Sequence, residues 1–123
     1  MHKSALLRMP RTWEELLAIA EVEIKELLVA LPPELRKSIE HLPITCEPRP
    51  SGDPIYSGDQ DLGLFRGEPL SEDVEIILYL ENIWDLADEE EAAYREEIRT
   101  TLLHELGHYL GLDEADLDER GLL

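Results

Sequence analysis

Apolar residues recur early in the chain at three- and four-residue intervals: Trp13, Leu16, Leu17, Ala20, Ile24, Leu27, Leu28 and Leu31. That period gathers them on one face and predicts an amphipathic helix over 13–31. Thr12 and Glu15 make a capping-box pair at its start, and Pro32-Pro33 ends it. A second, shorter helix is predicted over 34–42, with Leu35, Ile39 and Leu42 inward and His41 on the surface. Residues 44–47 suit a short strand. Three prolines, two glycines and several Ser and Asp then mark 48–61 as a loop. Residues 62–66 read as a strand, followed by a turn at Gly67-Glu68-Pro69. Residues 74–80 give the clearest strand. Val74, Ile76, Leu78 and Leu80 alternate with Glu75, Ile77 and Tyr79, so both faces are apolar enough to be covered. A last helix is predicted from Asp88, with Glu91 completing a capping box and Ile98, Leu102 and Leu106 facing inward. Arg95, Glu96, Glu97 and Arg99 are left for its solvent side. The pattern predicts an α+β fold, with helices packed on a small twisted mixed sheet.

The last helix carries the chemistry. It contains His104-Glu105-Leu106-Gly107-His108, followed by Gly111 and Glu114. Imidazoles four residues apart on a helix project the same way, about one turn apart, and can share a metal ion. Gly111 can adopt a positive φ at little cost and end the helix in a sharp turn. The chain then doubles back, and Glu114 can supply a third ligand. Two histidines and a carboxylate leave one position of a tetrahedral Zn2+ open, as hydrolytic zinc chemistry requires. Glu105 is the candidate general base, taking a proton from the attacking water and passing it to the leaving amine. Asp113 and Asp116 compete with Glu114 for the third position. Tyr109 can assist an oxyanion, or simply pack.

The run HELGHYLGLDE resembles the metzincin signature HExxHxxGxxH, with Glu114 where the third histidine stands. The chain more broadly resembles the short bacterial zincin-like metallopeptidases. The likeness extends over residues 12–117 and includes Leu62-Gly-Leu-Phe65-Arg-Gly67-Glu-Pro-Leu70. It implies a minimal zincin-like fold, zinc held by His104, His108 and Glu114, and Glu105 as the catalytic base of a peptidase. Such folds offer an edge strand to an extended substrate. Either 62–66 or 74–80 can be that edge. The only methionines, Met1 and Met9, precede the motif, so the methionine turn of larger metzincins has no counterpart among these residues. That departure keeps a second reading open, a metal-binding protein that does not cut.

At 123 residues the chain is expected to form a single domain, 1–123. It has no apolar run long enough to span a membrane and no secretory core at its start. Its single Cys46 cannot form an internal disulfide, which agrees with a cytoplasmic protein; a small buried hydrophobe is its expected role. Asp53, Asp59 and Asp61 lack the spacing and closing glutamate of an EF-hand. The net charge is −18 and uneven: residues 1–67 hold 11 acids against 8 Lys/Arg, and residues 68–123 hold 18 against 3. Nucleic acid is not expected as a partner, because its phosphates would be repelled. A basic peptide or protein would be attracted, as substrate or as the partner of an acidic interaction module. Equally, the acidity can serve only to keep a small protein soluble.

Overall fold

A computed structural model describes residues 12–50, 61–67, 74–119 and 121. The order is α1 (Trp13–Ala30), α2 (Pro33–Ser38), β1 (Ile44–Glu47), β2 (Gly63–Arg66), β3 (Glu75–Tyr79), α3 (Leu80–Leu86), α4 (Glu91–Leu110) and α5 (Glu114–Glu119). The strands form a mixed three-stranded sheet in the order β1-β3-β2. β1 pairs with β3 in parallel and β2 with β3 antiparallel. The fold class is α+β, as the pattern predicted.

The first helix begins where its sequence says it should. Thr12 accepts from the Glu15 amide at 3.2 Å and Glu15 returns the bond to the Thr12 amide at 3.2 Å. Its buried face differs slightly from the predicted stripe, because Ile19 and Glu23 turn inward with Leu16, Ala20 and Leu27. Glu23 is tolerated there because Arg95 on α4 donates to it at 2.9 Å, so the buried carboxylate is paired. Arg95 also bonds Glu91, at 2.9 and 3.0 Å, and so leaves the solvent role expected for it.

β3 is the central strand and is buried on both faces from Ile76 to Tyr79. Ile76 and Leu78 join the main core, together with Tyr94, Ile98, Leu102 and Leu106 of α4. Being central, β3 cannot be the edge that receives another strand. Leu80, expected to extend it, instead opens α3, which the periodicity did not predict. That extra helix also overturns the expected start of α4. Asp88 and Glu89 take positive φ values of 55° and 57°, and their amides close the end of α3 on Asp85 and Trp84. Asp88 is therefore spent on ending one helix and cannot cap the next. α4 starts after Glu90, which makes no side-chain cap.

Leu35, Ile39 and Leu42 are buried as expected, although α2 stops at Ser38 and continues as a turn. His41 is exposed and lies 3.5 Å from Glu40. Cys46 is half-buried between β1 and α1, where burial and then the charge of Glu21 push its thiol pKa up to about 11. It is neutral at ordinary pH. Residues 51–60, including Asp53 and Asp59, and the remainder of the turn expected after Gly67 lie outside the described residues. No helix among the described residues is long and apolar enough to cross a membrane.

α1, α3 and α4 meet at Tyr94. Its ring is edge-on to Trp84 at 5.3 Å, and its hydroxyl donates to the Leu16 carbonyl at 2.9 Å. Burial drives the phenol's pKa upward, so it remains a donor. Tyr94→Phe, which removes this bond while keeping the ring, is expected to cost about 1 kcal/mol of stability by chemical denaturation.

Candidate metal centre

The chain forms its site on the last two turns of α4, where that helix lies against β2. The approach depends on Gly63. A Cβ there would lie 2.8 Å from Thr101 Cγ2, 3.3 Å from the Ile77 carbonyl and 3.4 Å from Glu105 Cγ. Further along, Phe65 meets Tyr109 edge-on at 6.0 Å. Gly63 thus sits opposite Thr101 and Glu105, and Phe65 opposite Tyr109, so β2 and α4 run alongside one another in the same direction. β2 is an edge of the sheet, and among the described residues its outer side has no strand partner. Of the two strands left open by sequence, this one borders the histidines.

His104, Glu105 and His108 each present one potential ligand atom, all within 4.8 Å of one another. Both histidines are exposed, and their rings stand 4.5 Å apart. Glu105 is buried, with 7% of its surface exposed, and its Oε1 lies 3.3 Å from His108 Nδ1. The residue set fits a zinc ion. Imidazole nitrogens are among its preferred donors, and two of them reach one position in solvent. They also stand at the carboxyl end of α4, where the helix dipole favours positive charge.

The turn beyond His108 is built as the sequence suggested. Gly111 has φ 72°, a left-handed conformation suited to glycine. The Leu112 amide bonds the Gly107 carbonyl at 2.8 Å and the Gly111 amide bonds the His108 carbonyl at 3.2 Å, a Schellman arrangement that satisfies the helix end. Gly107 is needed for a different reason. A Cβ on it would stand 3.0 Å from the Leu112 carbonyl and 3.2 Å from Leu117 Cδ1. Its bare backbone lets α5 fold under α4, with Leu117 buried against it.

α5 begins with a reciprocal cap. The Asp116 amide donates to Asp113 Oδ1 at 2.8 Å, and the Asp113 amide donates to Asp116 Oδ2 at 3.1 Å. Each of Glu114's competitors therefore already uses a carboxylate oxygen to start the helix. The backbone of Glu114 opens α5 directly after the turn, and its side chain lies outside the described part of the structure. Tyr109 directs its hydroxyl to the Ser38 carbonyl at 3.5 Å and its ring to Phe65, so packing is the role its surroundings give it.

Two cavities flank His104. One of about 600 Å³ is lined by Phe65, Gly107, His108, Leu112 and Leu117 as well as His104. The other, of about 310 Å³, lies toward the start of β2 and is bordered by Asp61, Glu97, Thr101 and Glu105 as well as His104. The wall residues Gly63, Thr101, Asp61 and Glu97 were not identified as site residues from the sequence. Only the glycine inside a predicted strand hinted at a close approach.

A family model described as "Zincin-like metallopeptidase" matches residues 39–122, which takes in the sheet, α4 and the turn beyond it. No curated protein matches the chain.

The two glycines of the helix end should respond differently to alanine. Gly107→Ala is expected to cost about 1–3 kcal/mol by crowding Leu117 and the Leu112 carbonyl. Gly111→Ala meets no atom within 4 Å and should cost about 1 kcal/mol through left-handed strain alone. Denaturation of both variants, with a crystal structure of Gly107→Ala to read the position of α5, tests the assignment.

Proposed function

This chain belongs to the zincin-like metallopeptidase family, and from that we propose that it is a zinc-dependent hydrolase of peptide bonds. The observation that carries the reading is the convergence of His104, Glu105 and His108 within 4.8 Å at the mouth of a groove beside a free strand edge. In this reading His104 and His108 hold zinc through ring nitrogens, and Glu114 provides the third ligand. The capping bonds that occupy Asp113 and Asp116 support Glu114 over either of them. Zinc, when bound, supplies Lewis acidity toward a carbonyl oxygen and lowers the pKa of water toward neutrality.

The chain's own residues do the rest. The outer edge of β2 offers main-chain donors and acceptors to an extended peptide, which fixes the substrate backbone beside α4. Glu105 accepts a proton from the attacking water at a carboxylate oxygen and returns it to the leaving nitrogen. Packed against Gly63 and with its Oε1 3.3 Å from His108 Nδ1, the carboxylate is held beside the histidines. Burial by β2 keeps bulk water off one side of that carboxylate.

Glu105→Gln is expected to retain zinc while peptide cleavage falls by about 10²–10⁴-fold. Zinc content by elemental analysis and cleavage of an unfolded protein substrate provide the two readouts. Persistence of full cleavage would remove Glu105 from the mechanism, and failure of the parent protein to take up zinc would remove the metal. For the third ligand, Glu114→Ala should weaken zinc binding by at least about tenfold, and Asp113→Ala or Asp116→Ala by much less. Competition with a chelating indicator measures this, and anomalous scattering from a zinc-soaked crystal locates the carboxylate.

A further inference from the structure

The groove beside α4 is chemically lopsided about His104. On the Phe65 side its walls are mostly Phe65, Leu112, Leu117 and glycine backbone, with one carboxylate, Asp113, beside the two histidines. On the Gly63 side they are Asp61, Glu97 and Glu105, with Thr100 and Thr101, and among the described residues no Lys or Arg borders the space. We propose that the smaller cavity is a specificity pocket for a Lys or Arg side chain of an extended peptide. The same peptide places a large apolar side chain in the larger cavity, on the other side of His104. The proposal rests on the peptide-binding reading of this groove and adds to it which residues the peptide must carry.

Three observations converge on the pocket. Asp61 and Glu97 border the cavity and have no ion-pair partner among the described residues. Thr101 is 7% exposed as a residue, borders the cavity and has no hydrogen-bond partner among the described residues, so its hydroxyl is open to a ligand. The acidic wall is also fixed in place. The buried Asn82 amide donates to the Asp61 carbonyl at 2.7 Å, and Asn82 Oδ1 accepts from Arg49 at 2.8 Å. Arg49 is in turn held by Glu81 at 3.1 Å and Asp85 at 2.9 Å. Its charge is thus committed to α3, and it does not serve as counter-ion to the cavity. An exposed Asp61, a half-buried Glu97 and a buried Glu105 beside a neutral hydroxyl favour a cation that brings its own donors, which Lys and Arg do. The cavity's volume is within the range of ligand pockets.

The test uses fluorescent alanine-rich peptides carrying Lys, Arg, Gln or Glu at one position and Phe or Ala at positions one to four residues away. Binding is measured by anisotropy on the parent protein freed of zinc by a chelator, so that Asp61, Glu97 and Glu105 all keep their charge. Cleavage sites are mapped with the zinc-loaded parent. Lys and Arg peptides are expected to bind at least about fivefold tighter than the Gln peptide, with the Glu peptide weakest. Adding Glu97→Gln should bring the Lys-to-Gln ratio toward one, whereas Glu14→Gln, an equal charge change on exposed α1, should leave the ratio intact. Phe65→Ala should reduce the preference for Phe over Ala. Equal binding of Lys and Gln peptides overturns the pocket. So does an equal loss in the Glu14 and Glu97 variants, which would assign the preference to overall acidity. If the peptides bind with the expected ratios and the zinc-loaded parent cuts none of them, the pocket stands and the peptidase reading falls.

Discussion

The contact between β2 and α4 governs most of what this molecule can do, and it exists because residue 63 has no side chain. With Thr101 Cγ2 only 2.8 Å from where a Cβ would be, even alanine would push the strand from the helix. The approach buries Glu105 and sets a strand edge beside two exposed imidazoles. It also divides the adjoining groove at His104. A helix bearing the same five-residue motif but standing away from the sheet would expose its glutamate fully and have no strand beside it for a peptide. Packing, in this sense, converts a ligand spacing into a site.

Much of this was readable from residue spacing because the determinants were local. The capping box of α1, the inward Leu35, Ile39 and Leu42 of α2 and the turn after it, the doubly covered β3 and the glycine turn after His108 all depend on neighbours within a few positions. What was hidden depended on distant partners. Glu23 looks like a solvent residue until Arg95, 72 positions away, turns out to pair with it. Gly63 reads as an ordinary weak point in a strand until Thr101 is placed against it. The helix 80–86 was missed because seven residues show too little periodicity, and the apolar run of β3 continues smoothly into it. Asp88 and Glu91 have capping-box spacing, yet Asp88 had already been used to end the preceding helix. A local pattern names what a residue can do, and competition between neighbouring elements decides which use prevails.

The candidate metal residues show the same division. His104, Glu105 and His108 share one helix, so helical geometry alone brings them together. Glu114 reaches the neighbourhood only through a turn, and that turn needs one glycine for its backbone angle and another for clearance. The competing acids Asp113 and Asp116 looked equivalent to it in sequence. The structure shows those two bonded to each other's amides, a use of their carboxylates that composition does not carry.

The Schellman turn and the seat of Leu117 on Gly107 order the end of α4 with backbone bonds and apolar contact. Small domains whose ends are shaped by their ion fold only when it arrives, and chelation unmakes them. Here the turn beside the imidazoles has backbone bonds and an apolar contact of its own to order it. Under the proposed zinc chemistry, loading and folding would be separate events: activity would follow metal supply while abundance would not.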